Sequence, residues 1–260
     1  MIASLVALAL AAAPTSLTPS GPWRVEAEDD LCLLSHGFGP ADAKVTLGFQ
    51  PLFTDRNMEL LILAPDRTVD PHAGRATVTL LPSGRVVPAQ YVSVQARDHL
   101  RRLTRLTVSS DVMGELARAT VLTVTADRMA MSFQLPPSGN AVKAMDSCQH
   151  DLLVSWGVDP ALVDQAHAPQ PHDAARWFGP DAYPPEAYGA GVTGRVISVL
   201  QVDAGGSVRN CRVVSGAGDA LNTATCASAM KIRFTPAHDD AGKAVGSIYV
   251  LPVRWVLPDA

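Results

Sequence analysis

Charge is scarce in this chain of 260 residues: Asp, Glu, Lys and Arg together make 18%, and the balance is −4 at neutral pH. No basic stretch is longer than the Arg101-Arg102 pair. Neutralising the phosphates of a nucleic acid, or clinging to an anionic lipid surface, takes clustered cations, so neither is an expected partner. Catalytic signatures are missing too. There is no H-E-x-x-H, no G-x-S-x-G and no P-loop, the patterns that would place a zinc ion, a nucleophilic serine or a nucleotide phosphate. The seven histidines are scattered, and the nearest pair, His167 and His172, falls in a region without periodicity. Asp239 and Asp240 are consecutive on a turn and point apart, which does not suit paired acid–base work. Glu26, Glu28, Asp29 and Asp30 read as a solvated face. No catalytic residue, metal, cofactor or small-molecule substrate is expected, and the chain does not read as an enzyme.

Cysteine is sparse and oddly placed for a metal. Cys32, Cys148, Cys211 and Cys226 form no C-x-x-C pair, and the one close couple, Cys148 with His150, is a poor zinc signature. Four cysteines in an oxidising compartment imply two disulfides, with three possible pairings. The N-terminus supports export: Ile2 to Ala13 is a twelve-residue apolar stretch, too short to span a bilayer but the length of a signal peptide's apolar region. Ala9-Leu10-Ala11 supplies a small-x-small cleavage site after Ala11, although no Lys or Arg precedes the run. A retained inner-membrane anchor is the alternative.

What is present is ample apolar material, 47% of the residues, which excludes a disordered or collagen-like chain and suffices for one large domain or two small ones. Residues 1–20 read as signal peptide and short leader. From about Trp23 to Phe133 short apolar runs recur at strand length (44–49, 58–63, 76–81, 120–125), divided by Pro51, Pro65-Asp66, Pro71 and the Pro82-Ser83-Gly84 turn. A short helix over 110–119, capped by Ser110 or Asp111, interrupts them. A firmer helix starts after Pro136-Pro137 with Ser138 as cap. Val142, Met145, Gln149, Leu152, Leu153 and Trp156 recur along it at three and four, and Gly157 and Pro160 end it. Residues 22–157 thus read as a β-rich domain, a small sheet or barrel, closed by a helix. Residues 158–182 read as a linker with a docked turn near Trp177-Phe178.

The last segment, 183–260, orders itself as β-β-α-β. Arg195 to Asp203 is a strand, with Val196, Ser198, Leu200 and Val202 on one face and Ile197 and Val199 on the other. A turn at 204–207 leads to a second strand over 208–214. Asp219 caps a helix to about Ile232, and a final strand covers 247–257. The fold class is therefore α+β, the second domain being a two-layer sheet with one helix across it. With 22–157 and 183–260 as separate units, each holds two cysteines, which selects Cys32–Cys148 and Cys211–Cys226.

The same segment resembles the C-terminal domain of the TonB family. The resemblance rests on Tyr183-Pro184 with Glu186-Ala187, Gly194, Val196, Val202-Asp203, Gly206 with Val208, Val213-Val214-Ser215-Gly216, Leu221, Arg233-Phe234-Thr235-Pro236-Ala237 and Val250-Leu251-Pro252-Val253-Arg254. It implies binding by strand addition: the last strand's edge, Gly246, Ser247, Ile248, Tyr249, Val250, Leu251 and Val253, with Tyr183 and Pro184 nearby, would pair with an extended peptide or partner strand. In the family that partner is a segment of an outer-membrane transporter. An edge carrying Pro252, which donates no hydrogen bond, suits this. A homodimer through the same edge, or an edge blocked by the chain's own first domain, stay open. The expected setting is the periplasm, in a link to outer-membrane transport. An atypical membrane-anchored energy transducer is the alternative, although the family's long Pro-rich spacer is replaced here by a cysteine-containing domain.

Overall fold

The structure, a computed structural model, describes residues 15–28, 31–51, 57–160 and 168–257. The expected signal peptide and its cleavage site, and His167, lie outside the described residues. Among those described, the chain is mixed and strand-rich with four helices, an α+β protein. It divides into two compact units, the first holding residues up to 145 except 27–32, the second holding 27–32 and 146 onward.

The first unit is built on β1 (Thr15–Leu17), β2 (Pro19–Glu28), β3 (Leu31–Phe38), β4 (Val45–Pro51), β5 (Asn57–Pro65), β6 (His72–Leu81), β7 (Arg85–Gln95), β8 (Arg101–Ser109), β9 (Val121–Ala126) and β10 (Met129–Gln134), the facing ends of β2 and β3 being counted with the second. They form one sheet in the order β1-β10-β9-β6-β7-β8-β5-β4-β3-β2. Its two end strands, β1 and β2, are consecutive in the chain, separated by Thr18 alone. Strand alternation fills the interior: Met58, Leu60, Ile62 and Ala64 are buried on β5, and Val87, Ala89 and Tyr91 on β7. Phe38, Phe49 and Phe133 occupy the centre, with Phe38 edge-on to Phe133 at 5.0 Å. Each such side chain contributes about 1.5–3 kcal/mol relative to exposure.

Two helices follow the sequence pattern, the first without its expected capping. In α1 (Val112–Leu116), Val112 and Leu116 are fully buried. Neither expected cap operates there. Asp111 stands at the N-cap with helical backbone and no side-chain cap bond, its carboxylate instead holding Arg85 at 2.9 Å. In α2 (Gly139–Ser155) the Ser138 hydroxyl donates to the Leu116 carbonyl at 2.5 Å. The helix does stop at Gly157, whose φ of +67° admits the left-handed turn. The Val158 N–H reaches back to the Leu153 carbonyl at 3.0 Å, closing the end in the six-to-one pattern.

The second unit contains β11 (Gln170–His172), α3 (Pro185–Gly189), β12 (Gly194–Val202), β13 (Val208–Ser215), α4 (Asp219–Ala229), β14 (Arg233–Thr235), β15 (Ala237–His238), β16 (Ala244–Val245) and β17 (Ser247–Trp255). A three-stranded antiparallel sheet runs β13-β12-β17. Its expected faces are real: Val196, Leu200 and Val202 lie in the core with Leu221, Ala229 and Ile232, while Ile197 and Val199 face the other way. The cap of α4 is Gly218 rather than Asp219, and it makes no side-chain cap bond. Asn222 turns back instead, accepting the Ala217 N–H at 3.0 Å. Part of the segment between the sequence domains is ordered: β11 pairs with β14, and Trp177 and Phe178, on a 3-10 turn, pack against the core.

Disulfides join Cys32 to Cys148 and Cys211 to Cys226, the pairs that the two-domain reading selects. The second staples α4 to β13 across 15 residues, worth roughly 3 kcal/mol in the chain-entropy model.

One buried group makes the first unit acid-sensitive. His36 is 1% exposed, held edge-on to Trp23 at 4.8 Å and tilted against Phe38 at 4.8 Å. Its Nδ1–H donates to the Gly37 carbonyl at 2.7 Å, and its Nε2 is buried with no hydrogen-bond partner. Burial holds its pKa below the ordinary 6.5, with the Lys44 charge adding to the effect and the backbone hydrogen bond to Gly37 opposing it. The unfolded chain therefore binds this proton more readily, and the stability carried by neutral His36 is present above pH 6.5 and falls as pH drops below it. Urea midpoints at pH 7.5 and 5.5 are expected to separate more for the native chain than for His36→Leu. Equal separations would remove His36 as the cause.

Candidate functional site

The elements that position β17 begin with a turn. Asp203 accepts the N–H groups of Gly205 at 2.9 Å and Ser207 at 2.8 Å, and its other oxygen takes Arg209 at 2.5 Å. Those bonds, the one from Ser207 first, hold its carboxyl below the usual carboxylate range. Gly206 completes the turn at φ +76°, where an added Cβ would stand 2.0 Å from the Phe234 carbonyl oxygen. The Phe234 N–H donates to the Gly206 carbonyl at 2.9 Å. Only glycine fits both demands, and the contact ties the β12–β13 hairpin to the chain leaving α4.

Beyond it, β17 pairs with β12 in an unbroken register from Ser247↔Val202 to Trp255↔Gly194. Pro252 faces Ile197, and its place on a terminal strand agrees with its missing donor. The side chains alternate into two covered faces. Tyr249, Leu251, Val253 and Trp255 enter the α4 side, with Tyr249 edge-on to Phe234 at 5.0 Å. Val250 is fully buried on the opposite side, where Ile248 also packs. Ser247 is buried and Gly246 exposed. Tyr183 reaches the far end of the strand, edge-on to Trp255 at 5.3 Å, and its hydroxyl donates to the Val192 carbonyl. Pro184 is half-buried as the N-cap of α3. The structure thus brings Tyr183 to the strand's end and leaves Pro184 on α3.

Sequence reasoning missed what covers the opposite face. Leu153, Trp156 and Val158, at the end of α2, form one apolar cluster with Ile197, Val199 and Val250. Arg212 on β13 donates to the Trp156 carbonyl at 2.6 Å. The second unit therefore has helix on both sides of its sheet, where two layers were expected. The signal was the apolar stripe continuing to Trp156 and Val158, which shows that a face is buried but not against what. Trp255 was passed over as well. Its indole N–H donates to Thr225 at 2.9 Å, and Thr225 donates to the Leu221 carbonyl at 2.7 Å, a buried polar chain that fixes strand to helix.

Cys148 is in a disulfide, so it forms no zinc pair with His150, and no cluster of metal-ligating side chains occurs among the described residues. The literal G-x-G-x-x-G from Gly189 to Gly194 ends a helix and opens a strand. That is the reverse of the strand-to-helix order a dinucleotide loop requires.

The arrangement is that of a β-β-α-β module whose final strand ends its sheet. Residues 180–257 match the model of the Gram-negative bacterial TonB protein C-terminal family, and this segment is a TonB-family C-terminal domain. It is similar to Protein TonB from two strains of Xanthomonas campestris pv. campestris, each 38% identical over 81 residues, which is 31% of this chain and 36% of the relative. The chain thus matches only about a third of the length of those relatives. No solved structure matches it.

Because Trp156 is 7% exposed and central to the second apolar cluster, Trp156→Ala is expected to cost about 3–5 kcal/mol. The loss is to be read as a lower denaturation midpoint and faster amide exchange in β12 and β17. An unchanged midpoint would show that the α2 end is not part of this core.

Proposed function

We propose that this is a non-enzymatic protein of the periplasm whose C-terminal domain, taken as 183–260, receives an extended segment of a partner protein as an added strand alongside β17. The single observation behind this reading is the place of β17: it terminates the β13-β12-β17 sheet while helices cover both faces. A partner strand extends such a sheet through main-chain hydrogen bonds, and side chains of β17 take little part because they point into the two cores. The family match adds the partner's class, a segment of an outer-membrane transporter, and with it a role in outer-membrane transport. A second copy of the chain pairing along the same edge is the competing occupant.

The test is a titration of the isotopically labelled chain with N-terminal peptides of outer-membrane transporters. Amide resonances from Gly246 to Val253 are expected to shift or broaden while those of β7 and β8 stay still. Peptides that leave 246–253 unmoved would refute strand addition at this edge.

A membrane-anchored energy transducer is the second reading, favoured by the apolar run from Ile2 to Ala13. No helix among the described residues is long and apolar enough to cross a membrane. N-terminal sequencing of the protein isolated from cells separates the two. A start at Ala12 is expected for the exported form, whereas an intact Met1 in the membrane fraction would establish the anchor.

A further inference from the structure

A hollow in the second unit lies away from β17. It is a groove of about 880 Å³ along the outer side of α4, walled by Trp177 and Tyr183 and floored by Ala220, Ala224 and Ala227. Two exposed cations stand at one end of it. The Arg176 guanidinium lies 4.5 Å from the centre of the Trp177 ring and the Lys231 ammonium 5.7 Å from it. Each is attracted by the indole face, and among the described residues neither has a carboxylate within ion-pair distance. The groove also has carboxylates, from Asp181, Glu186 and Asp219, which leave these cations unneutralised. Asp219 opens α4 and Lys231 follows its end. At about 1.5 Å per residue the two positions are roughly 18 Å apart along the helix axis.

We propose that this groove is a second binding site, for an extended segment of a partner protein with a carboxylate at one end and a cation at the other. The carboxylate is held beside Trp177 by Arg176 or Lys231, in charge-assisted hydrogen bonds. The cation meets Asp219 at the start of α4. The small floor residues leave room for side chains between, and five or six extended residues at about 3.3 Å each cover the span. Opposite charges at the two ends fix the direction in which the segment lies. The site goes beyond strand addition and does not depend on it.

The test applies the full chain to an array of acetylated, amidated hexapeptides. Retained sequences are expected to carry Asp or Glu at one end and Lys or Arg at the other. Arg176→Glu and Lys231→Glu are each expected to lower retention at least tenfold. Both side chains are exposed, so circular dichroism should not change. As a second variant, Ala227→Glu sets a carboxylate one turn before Lys231 and fills the floor, and it should abolish retention. No retained peptides, no end-charge preference, or retention indifferent to all three substitutions would overturn the proposal. None of these substitutions touches β17, so the 246–253 resonances report strand addition independently.

Discussion

A three-stranded sheet is too small to keep either apolar face in water, and the second unit is organised around covering both. Val196, Leu200 and Val202 require one partner, Ile197 and Val199 another. The first is α4, which the chain supplies directly after β13. The second is the end of α2, drawn from far upstream in sequence. Cys148 lies one to two turns before Leu153 and Trp156 on that helix, and its bond to Cys32 limits the freedom of the segment that must stay seated. With both faces taken, the sheet can grow only sideways.

Main-chain geometry then carries more of the design than side-chain chemistry. Gly206 shows it most directly: a hairpin turn and the strand after α4 approach so closely that no Cβ fits between them. Trp255 shows the complementary device, a side chain reaching across to Thr225 so that the last strand cannot slide along its neighbour. A one-residue slip would turn Val250 and Leu251 into each other's cores, so register here is set by burial on both faces as well as by hydrogen bonds.

Much of this was legible in the sequence where the physics is local. The alternation in 195–203, the turn at 204–207 and the stripe of α4 each report a periodicity that the neighbouring residues alone determine. The cysteine pairs followed once the chain was divided. The rest was hidden because it is tertiary. One end of the first unit's sheet depends on Thr15–Leu17 meeting Met131–Phe133, a pairing between distant segments that no local pattern announces. The cap of α1 failed for a related reason: Asp111 has a partner in Arg85 instead. Capping propensity describes an isolated helix, whereas this side chain answers to a neighbour brought by the fold.

The covered faces also bear on selectivity. A strand added to β17 meets mainly backbone, because the residues of β17 alternate into two closed cores. Backbone pairing supplies affinity but distinguishes poorly between sequences, since every residue except proline has the same donor and acceptor. Choosing among extended segments therefore falls to side chains off the strand. The second unit exposes such side chains beside α4, where Arg176 and Lys231 keep their charges unneutralised and Trp177 orients both. On the two proposals made above, pairing at the edge and reading of charge beside the helix are separable tasks, and the sheet's closed faces are the physical reason for separating them.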